Sequence, residues 1–270
     1  MADIGKDVVD ESAALTYGSY LALDEVLGAQ RPRSDEHDEM LFIVIHQVYE
    51  LWFKQLLHEL GHAQRKLAEG NTPHALHTLK RLLSILKVVV AQIDVLETMT
   101  PQQFTSFRMR LDASSGFQSA QFRELEAVLG RRDEGAFAHY PQGNPGRERI
   151  LAAMARPSLY DSFLRYLAAQ GYPVPAEWLE RDVRKPAAPA PELQKILLAV
   201  YTDDGGPAQV AERLVDLDEG LQEWRYRHVM MVRRTIGDKS GTGGSSGAEY
   251  LRGTLFHPVF PDLWAVRSQL

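Results

Sequence analysis

The stretch Ser34–Glu69, SDEHDEMLFIVIHQVYELWFKQLLHELGHAQRKLAE, decides the fold. Apolar residues return at steps of three and four through Leu41, Ile45, Val48, Trp52, Leu56 and Leu60, the period of one helix face and not of a strand. No proline interrupts it, and Ser34 followed by His37 and Asp38 offers a cap region, so one long helix is predicted. The same reading extends outward. Thr72-Pro73 sets an N-cap beside a proline at the first helical position and opens a helix through Leu76, Leu79, Leu83, Leu86, Val90 and Ile93 that ends near Thr98. Thr100-Pro101 repeats the signal for a shorter helix through Phe104, Phe107 and Arg108. Another helix follows Gly116 through Phe122 to Leu129, with Ser114 or Ser115 as a candidate cap.

Arg156-Pro157-Ser158 opens a helix through Leu159, Phe163 and Leu167, and RKPAAPAP at Arg184–Pro191 reads as a stiff, exposed connection. From Val210 to Ile236 the helical period returns through Leu214, Leu217, Leu221, Trp224, His228 and Met231, and Gly237 suits the end of a helix. Strand patterns and long repeats are not found. The expectation is an all-α fold: a mobile amino-terminal tail over residues 1–14, then a single helical-bundle domain over 15–270.

Composition narrows the function. An apolar fraction of 44%, a charged fraction of 24% and a mean hydropathy of -0.27 describe a chain that folds in water. The longest apolar run, Leu82–Val90, is broken by Lys87 and falls short of the roughly 20 residues that span a bilayer. Asp3, Asp10 and Glu11 without an apolar core make the amino end unlike a secretory signal, so a cytoplasmic location is expected. No cysteine is present, which leaves His, Asp and Glu as the only metal ligands and removes thiolate chemistry. A net charge of -6 gives no footprint for nucleic acid or an anionic membrane, and a small-molecule partner becomes the default.

Several motifs carry chemistry weakly when taken singly. His58-Glu59-Leu60-Gly61-His62 has the H-E-x-x-H form of a zinc peptidase, but Asn71–Ile93 contains neither Asp nor Glu and no third-ligand pattern follows. The alternative is a solvated helix face. Gly241–Gly247, GTGGSSG, follows a helix where a nucleotide-binding loop would follow a strand; it reads as a linker, or as a loop that closes over a ligand with Thr242 contributing a hydroxyl. Phe42 and His46 share one helix face with Tyr49 and Phe53, which suits a pocket wall but equally a hydrogen-bonded core histidine among core rings. His228 lies mid-helix among Trp224, Met231 and Val232, a setting open to an iron ligand or to a buried structural residue. Phe104 and Arg108 put a ring beside a guanidinium, a fork that grips carboxylates but is more often plain surface. A non-catalytic helical protein therefore stays open at this point.

Taken together the blocks are more specific. LTYGSYL at Leu15–Leu21, DEHDEMLF at Asp35–Phe42, His46-Gln47 with Glu50-Leu51-Trp52, SGFQS at Ser115–Ser119, WRYRH at Trp224–His228 and GTGGSSG at Gly241–Gly247 resemble the tryptophan 2,3-dioxygenase family in order and spacing, from about Leu15 to Arg267. The resemblance implies an all-helical haem protein, usually a homotetramer, that inserts both atoms of O₂ across the indole C2–C3 bond of L-tryptophan to give N-formylkynurenine. It implies haem b, ferrous in the active state, with His228 as axial ligand. It further implies that His46 accepts the indole N–H, that Phe42 and Phe104 pack on the ring, and that Arg108 clamps the carboxylate. Thr242 would hold the carboxylate or ammonium end, and Ser115 would lie beside the oxygen site. Tyr17, Tyr20 and Leu21 match residues that complete a neighbouring subunit's pocket. A related haem enzyme that transfers a single oxygen atom to a substituted tryptophan is the alternative.

Overall fold

A computed structural model describes residues 15–112, 114–241 and 247–270, and every regular element in them is helical. The tail expected over residues 1–14 lies outside the described residues. Two short helices, α1 (Tyr17–Leu21) and α2 (Leu23–Leu27), precede the long α3 (His37–Ala68) and α4 (Thr72–Leu96). Then come α5 (Pro101–Arg108), α6 (Ala120–Leu129), α7 (Pro145–Met154), α8 (Leu159–Ala169), α9 (Ala176–Leu179) and α10 (Pro191–Asp203). The second long helix is α11 (Gly206–Ile236), and α12 (Ala248–Arg252) and α13 (Pro261–Ala265) close the chain. No helix among the described residues is long and apolar enough to cross a membrane.

The helix starts correct three details of the sequence reading. α3 begins at His37, and Ser34 does not cap it: the buried Glu39 carboxylate reaches back to accept from the Arg33 and Ser34 amides at 2.9 and 2.8 Å and from the Ser34 hydroxyl. Before α4 the cap is Asn71, not Thr72, because the Asn71 side-chain oxygen reaches the His74 amide at 3.3 Å. α6 is capped by Ser119, not Ser114 or Ser115: a 3-10 turn at Gly116–Gln118 uses the Ser115 and Gly116 carbonyls first, and the Ser119 hydroxyl then accepts from the Phe122 amide at 3.1 Å. α5 starts as read, with a capping box between Thr100 and Gln103 ahead of Pro101.

α4 packs along both α3 and α11, and α6 and α8 lean on α3. The core between them is built from Leu56, Leu60 and Ala63 of α3, Leu79, Leu82 and Leu86 of α4, and Leu214, Leu217 and Leu221 of α11, all buried. Contact between α11 and α4 is close enough that a Cβ at Gly220 would lie 2.7 Å from a Leu86 methyl, so a larger residue there would have to displace the Leu86 side chain. The carboxyl-terminal segment is tied down by buried carboxylates. Asp218 accepts from the Val259 and Phe260 amides and the Trp264 indole at 2.8, 3.0 and 3.0 Å, and Asp262 accepts from Tyr160, Ala190 and Gln194.

Candidate active site

At one end of the bundle the stripes of α3 and α11 part and enclose a cavity of about 220 Å³. α3 contributes Phe42, His46, Tyr49, Glu50 and Phe53, and α11 contributes Trp224, Arg225, His228 and Met231. Ile93 and Leu96 of α4, Phe104 and Arg108 of α5, and Ser115, Gly116 and Ser119 before α6 complete much of the wall. Thus Phe42, His46, Phe104, Arg108, Ser115 and His228, scattered over most of the sequence, line one space.

The two histidines differ in how they are held. His46 Nδ1 lies 2.7 Å from the Phe42 carbonyl oxygen. A carbonyl only accepts, so Nδ1 carries the proton and Nε2 of the neutral ring keeps a lone pair. Burial lowers the His46 pKa, against the pull of the Phe42 carbonyl and Glu50, so the neutral form is favoured. Gly116 lies beside this nitrogen, and a Cβ built there would be 3.9 Å from Nε2. His228 is driven further: burial, with His46 and Arg123 adding to it, lowers its pKa to about 4. Its ring nitrogens have no hydrogen-bond partner among the described residues. A buried neutral imidazole with a free lone pair beside a cavity is a ready metal ligand.

Aromatic packing shapes the slot. Phe42 lies 4.2 Å from the His46 ring centroid, 5.8 Å from Phe104 and 5.7 Å from Phe107, and Phe107 is fully buried behind them. Arg108 ends this apolar wall with charge, and its guanidinium donates to the Ser240 carbonyl at 2.5 Å. That contact joins α5 to the segment leading into the glycine-rich run. Thr242 lies outside the described residues.

Tyr17, Tyr20 and Leu21 stand apart from this cavity on α1, with the two tyrosines 76% and 71% exposed, so they do not complete the pocket of their own chain. The root of that arm is fixed beside His46: Gln47 donates to the Ala29 carbonyl at 3.3 Å and accepts from Gln30 at 2.7 Å.

The sequence reading did not single out the charged group at the deep end. Glu126 is buried and accepts from Arg123 at 2.6 Å, Arg131 at 2.9 Å and Arg225 at 3.0 Å. Arg225 also donates to the Thr254 and His257 carbonyls, which joins α6, α11 and the carboxyl-terminal segment. The signal available was Arg123 and Glu126 at i, i+3, indistinguishable from an exposed helical pair. His58-Glu59-Leu60-Gly61-His62 is not a metal centre. His58 is exposed, while Glu59 is buried and accepts from Arg81 at 3.2 Å and Gln55 at 2.8 Å. Among the described residues no group of three or more His, Asp or Glu side chains could hold a metal ion.

A bundle with an aromatic cavity lined by two neutral histidines, and an arginine in its wall, defines a helical protein with a candidate ligand or cofactor pocket. Comparison with known proteins gives the family. A family model described as tryptophan 2,3-dioxygenase matches residues 2–144 and 192–270, leaving out α7, α8 and α9. A protein named tryptophan 2,3-dioxygenase from Anaeromyxobacter sp. (strain K) is 68% identical over 263 residues, covering 96% of this chain and 97% of its own length. Relatives of the same name from Herpetosiphon aurantiacus and Caulobacter vibrioides are 55% and 44% identical, over 96% and 95% of this chain and 100% and 98% of their own lengths. The chain belongs to the tryptophan 2,3-dioxygenase family.

The Glu126 group generates a stability prediction. Burial pushes its carboxyl pKa up, but Arg123, Arg131 and Arg225 outweigh burial and hold it below the ordinary 4.5. A carboxylate with a depressed folded pKa stabilises the fold above the unfolded value and loses that contribution as pH falls through the folded value. Glu126→Gln leaves the arginines around a neutral group and is expected to cost about 3–5 kcal/mol near neutral pH. In urea denaturation the gap between wild type and variant should persist down to about pH 4.5 and narrow only in stronger acid. A gap that closes at pH 6 would contradict this account.

Proposed function

We propose that this chain is a cytoplasmic tryptophan 2,3-dioxygenase, converting L-tryptophan and O₂ into N-formylkynurenine with residues 15–270 acting as one catalytic unit. The observation that carries the reading is the pair of buried, neutral histidines lining one aromatic cavity. The donor set fits haem: His228 offers an unpartnered neutral nitrogen inside an apolar, ring-lined space, and no thiolate competes because the chain has no cysteine. Haem b, ferrous in the active state and held by His228, supplies the oxygen chemistry when bound.

The protein's own task is to bind and orient the amino acid. Phe42 and Phe104 present ring surfaces to the indole. The His46 Nε2 lone pair accepts the indole N–H, an alignment enforced by the Phe42 carbonyl on the opposite nitrogen. Because burial lowers the His46 pKa, this acceptor stays available below the pH at which a free imidazole would be lost. Ser115 lines the wall beside Gly116 and would stand beside bound O₂. Arg108 meets the carboxylate by exchanging the neutral Ser240 carbonyl for an anion, the stronger acceptor for a guanidinium. Thr242 takes the carboxylate or ammonium end.

Tyr17, Tyr20 and Leu21 complete the pocket of a neighbouring subunit in a homo-oligomer, a tetramer in this reading. Support comes from their exposure and from the anchoring of the arm next to His46.

Three experiments test the proposal. Wild-type protein should show a Soret band and turn L-tryptophan and ¹⁸O₂ into a product carrying both labelled atoms, while His228→Ala should purify largely without haem. One labelled atom in the product would mean single-atom transfer, and full haem content in the variant would reject His228 as ligand. Arg108→Ala should lose about 30-fold to several thousand-fold in kcat/KM for tryptophan, the effect of deleting one partner of a closed charge pair worth roughly 2–5 kcal/mol. It should treat tryptophan and tryptamine much more alike than wild type does while keeping its Soret band. Retained preference for tryptophan would place the carboxylate elsewhere. Deleting residues 1–21 should raise KM for tryptophan sharply in a protein that still folds and binds haem. An unchanged KM there would rule out the shared pocket.

A further inference from the structure

An axial histidine needs a fixed ring plane as well as a free nitrogen. Metal-bound histidines ordinarily achieve this by donating the second ring N–H to a carboxylate or carbonyl, which also raises the basicity of the ligand. His228 has no such partner among the described residues. What it has is a plate. Trp224, one turn earlier on α11, lies with its ring centroid 4.9 Å from that of His228 and its plane 25° away, a stacked arrangement.

Trp224 is itself braced. Phe122 of α6 packs 4.7 Å from it at 40°, and Phe53 of α3 meets it edge-on at 6.4 Å and 86°. Phe53 and Phe122 are 5.4 Å apart, so two rings from two other helices converge on the indole. Rotating the His228 ring about its Cβ–Cγ bond would break the stack, and Phe122 and Phe53 restrain the indole from following on their sides.

We propose that Trp224 is the positioning residue for His228: its indole face, held by Phe122 and Phe53, sets the plane in which the imidazole meets iron, in place of a second hydrogen bond. The inference rests on the reading of His228 as axial ligand. Its chemical consequence concerns donor strength. Stacking restricts rotation without drawing a proton from the ring, so the ligand keeps the modest basicity of neutral imidazole. A carboxylate partner would fix the ring equally well but make it a stronger donor.

A filler role for Trp224 makes a different prediction, namely that any side chain of similar bulk serves. Trp224→Phe and Trp224→Met separate the two, because both are shorter than tryptophan and only phenylalanine is flat. Haem-loaded wild type and variants would be compared by resonance Raman of the ferrous iron–histidine stretch and by the rate of haem transfer to excess apomyoglobin. The Phe variant should keep a single narrow band and a rate near that of wild type. The Met variant should show a broadened or shifted band and lose haem about 10-fold faster, the scale of loss seen when a ligand's orienting partner is removed. Equal behaviour of the two variants, whether both intact or both impaired, would overturn the proposal. So would a Met variant that loses its helical circular dichroism while the Phe variant keeps it, since Trp224 would then serve the core. A wild-type protein with bound haem but no iron–histidine band would remove the axial assignment, and not the stack.

Discussion

The wedge of α4 between α3 and α11 is the constraint on which the site depends. α4 carries no acidic residue from Thr72 to Ile93, and its buried face runs from Ala75 through Leu79, Leu82, Leu86 and Val89 to Ile93. Each fully buried aliphatic side chain of this kind contributes roughly 1.5–3 kcal/mol relative to exposure, so the wedge is a rigid spacer. Gly220 lets α11 come up against Leu86, which fixes the approach at one end. Beyond it Ile93 and Leu96 line the cavity, and the same separation that fits leucines in the core leaves His46 and His228 on the walls of a space.

Electrostatics follows from that burial. The interior does not tolerate two imidazolium ions, so both histidines are held neutral and their lone pairs remain available. Besides Glu50 on α3, the charged side chains of the wall are Arg108 and the group around Glu126. At the deep end the Glu126 carboxylate is encircled by guanidinium groups, which ties α6 to α11 and turns an otherwise costly buried acid into a joint. Arg108 is partly exposed, and its hydrogen-bond partner among the described residues is the neutral Ser240 carbonyl.

What the sequence revealed follows the range of the interactions involved. Period-3.6 stripes located α3, α4 and α11, and because His46 and His228 fall within their stripes, their inward direction was legible before any coordinates. Caps were less so: Ser34, Thr72 and Ser115 are chemically competent, yet Glu39, Asn71 and the 3-10 turn at Gly116–Gln118 act first, a competition decided by local geometry that a residue list does not contain. The Glu126 group was illegible because two of its three arginines lie outside α6, and nothing in Arg123-x-x-Glu126 distinguishes burial from solvation. The H-E-x-x-H pattern failed in the opposite sense. It is present in the sequence, but the long-range pairing of Glu59 with Arg81 on α4 commits its carboxylate to the fold.

The division of labour between bundle and periphery has a physical reason. Groups that must keep an angle, such as the His228 ring and the Phe42–Phe104 slot, sit on helices whose registers are locked by the core. Groups that grip the variable, charged end of a ligand sit where the chain can approach by its backbone. Gly237 ends α11 at φ 62° and Gly247 turns at φ 65°, both left-handed conformations in which a side chain is strained. At Gly247 a Cβ would also lie 2.6 Å from the Lys239 carbonyl. Only glycine lets the chain entering α12 approach Lys239 this closely, and that approach brings Gly241 and Gly247 together onto the cavity wall, near Ser240, to which Arg108 donates. The segment beside Arg108 thus has its two ends set by glycine geometry, while the rings and histidines of the wall sit on helices held by the core.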